Sequence, residues 1–130
     1  IENLLELWDV SGWDVIATGG LLKAGSMSML GIRAAECIRS YNADKVFFSC
    51  KGIDLEKGVT DGNDEIGGIK QNMISAAAKV YLAVDSTKFG KAAFSRICGL
   101  SGLDVVVTDK KPDREWLDAF EKAGIQCIYE

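Results

Sequence analysis

The feature that most constrains this chain is an alternation. Short apolar runs rich in β-branched and aromatic residues are separated by longer segments whose apolar residues recur every three or four positions. Residues 44–50 (DKVFFSC), 80–84 (VYLAV), 104–108 (DVVVT) and 125–129 (IQCIY) are of the first kind and read as strands. Between them, Leu30, Ala34, Cys37, Ile38 and Tyr41 mark a helix over 29–41, and Ile66, Ile69, Met73, Ile74 and Ala77 mark a second. Trp116, Leu117, Phe120 and Ala123 give a third apolar face, with Pro112 where a first turn tolerates a missing N–H and Gly124 where a helix end favours positive φ. Ahead of these, residues 1–8 (IENLLELW) read as a helix and Trp13–Thr18 (WDVIAT) as a first strand, while Lys51–Asp64 reads as a Gly- and Asp-punctuated loop. Strands joined through helices of about ten residues or more need crossover connections. The pattern therefore predicts an α/β fold: an open, mostly parallel sheet of about five strands with helices on both faces.

Composition narrows what such a fold can do. With 130 residues, net charge −4 and 48% hydrophobic residues, the chain reads as one globular domain spanning 1–130. No apolar run reaches the roughly 18 residues of a membrane span, so no membrane partner is expected. Histidine is absent, which excludes Ser-His-Asp triads, imidazole acid/base chemistry and His-ligated metals. Cys37, Cys50, Cys98 and Cys127 never form a C-x-x-C pair and read as small buried hydrophobes in a reducing cytoplasm. No metal site, cofactor or catalytic residue is expected. An acidic chain without a basic block does not grip a phosphate backbone by itself, so DNA binding needs another segment.

Open parallel sheets bind ligands outside the carboxyl ends of their strands. Here those ends carry Thr18-Gly19-Gly20, Lys51-Gly52-Ile53-Asp54, Asp85-Ser86-Thr87-Lys88 and Thr108-Asp109-Lys110. Glycines let backbone N–H groups approach an anion, lysines supply the opposing charge, and aspartates accept from sugar hydroxyls. Such an edge suits a small polyhydroxylated anion such as a sugar phosphate. The candidate effector-binding residues are Gly19, Gly20, Lys51, Gly52, Asp54, Asp85 and Lys88.

The same residues carry a family resemblance. Thr18-Gly19-Gly20 with Gly31, Asp44-Lys45-Val46-Phe47-Phe48 running into Gly52-Ile53-Asp54, Gly58-Val59-Thr60, Ile69-Lys70 with Met73-Ile74, Asp85-Ser86-Thr87-Lys88-Phe89-Gly90 and Val107-Thr108-Asp109 occur in order over nearly the whole chain. In this the chain resembles the C-terminal sensor domain of the DeoR-type bacterial transcriptional regulators. The resemblance implies a ribose-5-phosphate isomerase-like fold that senses phosphorylated sugars, forms homo-oligomers and leaves DNA to an N-terminal helix-turn-helix absent from these residues. It also implies an N-terminally truncated domain, since an initial helix, a strand and a phosphate-cradling loop precede this point in the family. Gly52 and Asp54 would face the sugar, Gly19 and Gly20 would line the crevice, and Lys88 would meet the phosphate with Asp85 pairing to it. Lys51 departs from the family in standing where a small residue is expected.

Other features invite competing readings. Asp61-Gly62-Asn63-Asp64-Glu65-Ile66 is similar to a carboxylate signature of ribose-5-phosphate isomerases, but it follows Gly58-Val59-Thr60, which reads as a loop. It is therefore read as a helix N-terminus in which Asp61 or Asn63 caps and Glu65 complements the dipole. Lys70 reads as a solvated or salt-bridged helix residue, and Trp8, Trp13 and Trp116 as core or subunit interface. The expectation is a non-enzymatic, cytoplasmic effector-binding and oligomerisation domain of a carbohydrate regulator, with a sugar-phosphate isomerase of the same fold as the alternative.

Overall fold

The computed structural model describes all 130 residues. Helix α1 (Glu2–Leu7) leads into residues 10–20, which run without ladder partners to a hairpin of β1 (Leu21–Lys23) and β2 (Ser28–Leu30). Helix α2 (Ile32–Arg39), β3 (Ala43–Phe48), β4 (Gly52–Asp54), β5 (Gly58–Asp61) and α3 (Asp64–Ser75) follow. The chain continues through β6 (Ala77–Ala83), β7 (Ser95–Cys98), β8 (Val105–Thr108), α4 (Arg114–Ala123) and β9 (Gln126–Tyr129).

The principal sheet is parallel throughout, in the order β3-β6-β8-β9. Its core follows from side-chain alternation. Val46 and Phe48 of β3 and Val80 and Leu82 of β6 point inward, while β8 buries Val105 and Val106 in succession. Helix α3 packs on β3 and β6 and also on β5 and β7, and α4 packs along β9. The apolar face of α4 inserts Trp116 and Phe120, whose rings meet at 5.7 Å, with Phe89 edge-on to Trp116 at 4.9 Å. Gly124 ends the helix at φ 72°, a left-handed turn that a side chain would strain. On the opposite side of β3, Phe47 stacks on Tyr81 at 4.5 Å and stays 61% exposed.

Four of the expected strands form the parallel sheet, and Trp13–Thr18 does not. No strand of the chain lies beside that segment to receive its N–H and C=O groups, and Trp13 is 64% exposed. The stretch expected as a loop, 51–64, instead folds as the antiparallel β4–β5 hairpin, to which β7 adds as a third strand. Helix α2 begins at Ile32 rather than 29, because Gly31 at φ 88° ends strand β2 and turns the chain.

Candidate functional site

The carboxyl ends of β3, β6 and β8 open onto one shallow depression of about 400 Å³ lined by Ser49, Ala83, Val84, Asp85, Thr108 and Asp109. The loops after β6 and β8 are stitched together there. Asp109 accepts from the Ser86 backbone N–H at 2.6 Å and from the Ser86 hydroxyl at 3.3 Å. Asp85 caps the short 3₁₀ turn Ser86–Lys88 by accepting from the Thr87 N–H at 2.9 Å and from the Thr87 hydroxyl. The Lys88 ammonium lies 3.9 Å from the other Asp85 oxygen. These bonds hold both carboxylates below the usual range: for Asp85 chiefly the Thr87 hydroxyl, for Asp109 chiefly the Ser86 N–H. An adjoining polar cleft of similar size is lined by Ser86, Gly90, Lys110, Lys111 and Trp116.

The other candidates are distributed more widely. Asp54 ends β4, and its carboxylate accepts from the turn N–H groups of Lys57 at 2.8 Å and Glu56 at 3.0 Å; these bonds depress its pKa. It faces a third cleft shared with Gly90 and Trp116, not the depression beside Asp85. A Cβ on Gly52 would collide with the Lys91 carbonyl, so this glycine admits the chain that crosses it. Lys51 is exposed, and its N–H donates to the Thr60 carbonyl at 3.0 Å. Gly20, at φ 99°, is pressed against the Leu30 carbonyl and Ala34, whereas Gly19 faces open space. Of the seven, Asp85 and Lys88 are the two brought together directly.

Sequence reasoning missed a second charged pair. Val59, Thr60 and Asp61 form a buried strand, not a loop, and Asp61 sits at its end with its side chain 3% exposed. Its Oδ2 accepts from the Lys70 ammonium at 2.5 Å, and its Oδ1 accepts from the Gly62 N–H at 2.7 Å. Asn63, not Asp61, caps α3, accepting from the Ile66 N–H at 3.0 Å. Lys70 also donates to the Ser49 carbonyl at 2.6 Å, which ties α3 to the end of β3. Next to Ser49, burial pushes the Cys50 thiol up to about 11, with the Gly52 N–H acting the other way. The signal available in the sequence was the β-prone pair Val59-Thr60 ahead of Asp61, bounded by Gly58 and Gly62. No three metal-ligating side chains cluster anywhere in the chain, and no helix is long and apolar enough to cross a membrane.

A parallel sheet with a polar, cross-stitched carboxyl edge defines the class: an open-sheet α/β domain, a type of fold whose ligands generally bind outside the strand ends. The chain belongs to the DeoR C-terminal sensor domain family, which matches residues 1–110. It is 34% identical over 126 residues to the HTH-type transcriptional regulator YulB of Bacillus subtilis, covering 97% of this chain and 49% of the relative. It is 28% identical over 122 residues to a putative aga operon transcriptional repressor of Escherichia coli O157:H7, covering 94% and 45%. To the deoxyribose operon repressor of Escherichia coli K12 it is 31% identical over 111 residues, covering 85% and 44%. The chain thus spans about half the length of the curated relatives it matches.

Proposed function

We propose that this domain binds a phosphorylated sugar at the carboxyl ends of β3, β6 and β8, and that binding biases the assembly of a homo-oligomeric, cytoplasmic regulator of carbohydrate genes. DNA contact would fall to a helix-turn-helix outside these 130 residues, as an acidic domain requires. The observation that carries this reading is the stitched edge. Asp109 fixes the Ser86 backbone, Asp85 fixes Thr87, and the Lys88 ammonium is held beside the depression they line. Such an edge offers a cation for a phosphate and acceptors for hydroxyls without further rearrangement. The relatives named for the aga operon and for deoxyribose support a carbohydrate effector and a repressor role. For the effector to act, it must bind one arrangement of subunits more tightly than the other.

Calorimetry with a panel of pentose and hexose phosphates tests the proposal. One of them is expected to bind without conversion, and Lys88→Ala is expected to weaken it by roughly tenfold, the scale of one charge-assisted hydrogen bond. Absence of binding across the panel would overturn the site. A sugar-phosphate isomerase of the same fold has one observation in its favour: Asp61 is a buried carboxylate at a strand end, where a base would be placed. Aldose–ketose turnover by the full-length protein, abolished by Asp61→Asn, would select that reading instead.

A further inference from the structure

The Asp61–Lys70 pair is costly to enclose. Side chains 3% and 19% exposed have surrendered most of their hydration, and buried ion pairs of this kind add little stability over an apolar pair of the same volume. The ammonium has three N–H donors. One goes to Asp61 at 2.5 Å and one to the Ser49 carbonyl at 2.6 Å, and the third has no protein partner. Ser49 lines the strand-end depression, while Lys70 itself lines an adjacent groove with Thr18, Ile16 and Met29. The bond from Lys70 to Ser49 is thus shared between the two hollows. Across the strand-end depression the Lys88 ammonium lies 3.9 Å from Asp85, which lines it together with Ser49, so each ammonium is held by a lining residue.

We propose that Lys70 is a second cationic contact of the effector site, with Asp61 as the internal counter-ion that an incoming anion partly displaces. The ligand class is an anionic polyol whose charged group meets Lys70 and Lys88 from either side of the β3 terminus. This rests on the strand-end reading above. In the free protein Asp61 keeps the ammonium positioned and neutralised, and the unused N–H is the one an anion takes first. Asp61 and the anion therefore compete for the same cation, which gives the two residues opposite effects on affinity.

The test is an NMR titration of the full chain with inorganic phosphate at fixed ionic strength. Asp61→Asn is expected to tighten phosphate binding severalfold, since the competing carboxylate is gone and Lys70 remains. The neutral pair D61N/K70M, which leaves no charge unpaired in the interior, is expected to bind about tenfold more weakly than Asp61→Asn alone. A merely structural pair would move affinity in neither direction, with amide spectra showing that both variants keep the parent's fold at the temperature of the titration. Equal affinities for Asp61→Asn and D61N/K70M would overturn the role of Lys70. Lys88→Met separates the two readings: if it weakens phosphate while D61N/K70M matches Asp61→Asn, the strand-end site stands and the Lys70 contact falls. If neither Lys88→Met nor the double variant changes affinity, both fall.

Discussion

Removing one member of an enclosed ion pair leaves the other charge stranded, and Asp61 is the more deeply buried of the two. Lys70→Met is therefore expected to lower stability by about 3 kcal/mol, the scale for an uncompensated interior charge, and D61N/K70M to recover most of the loss. Urea unfolding of the three proteins checks this, and equal midpoints for the single and double variants would contradict it. A salt bridge was one of the two readings of Lys70, but its partner was not legible. Asp61 was expected in a helix N-terminal segment where it or Asn63 caps, because glycines on both sides made its strand look like a loop; Asn63 is the cap. Gly52 shows the reverse error. A glycine at a strand end was read as room for a ligand, while the space it leaves is taken by the backbone of Lys91. Contacts between positions 39 residues apart in the chain leave no local mark in a sequence.

Among the elements, those with strong periodicity were read correctly. Helices α3 and α4 and strands β3, β6, β8 and β9 lie within a few residues of their expected bounds because each carries its own burial pattern. The hairpin β4–β5 and strand β7 escaped notice because they are short and interrupted by glycine and charge. Trp13–Thr18 failed for another reason: its composition is strand-like, but a strand needs a neighbour to receive its hydrogen bonds. The stitched loops make a prediction about acid. Asp85 and Asp109 have pKa values depressed below the ordinary 3.8, so their bonds contribute stability above that value and lose it as pH falls through the lower folded values. Melting temperature is expected to hold steady from neutrality to about pH 5 as far as these groups are concerned, and to fall below about pH 4. Asp109→Asn should flatten that acid-side fall, and an unchanged slope would show that the stitch does not matter.

For the molecule as a whole, the alternation of strand and helix was enough to establish a parallel sheet, and the residue types at its carboxyl edge were enough to direct attention there. Trp8 and Trp13, read as core or subunit interface, are not core, and they are not alone on the surface. Leu5, Trp8, Trp13, Ile16, Leu21, Leu22 and Ile32 are all exposed within the first 32 residues, with Trp8 at 80%. Large exposed apolar patches are of the kind that contact surfaces carry. In sedimentation the chain is expected to self-associate in a concentration-dependent way, and Trp8→Ser together with Ile16→Ser to shift it toward monomer. A parent chain that stays strictly monomeric at high concentration would argue against assembly through this region.

The three tryptophans also divide the molecule optically. Trp116 is packed against Phe89 and Phe120 and lines the clefts around Gly90, whereas Trp8 and Trp13 face solvent. Indole emission shifts to the blue in an apolar setting and to the red in water, so the two environments contribute to opposite sides of one spectrum. Occupancy of the clefts beside Trp116 and burial of the N-terminal surface are therefore separable events in the intrinsic fluorescence of the unlabelled chain.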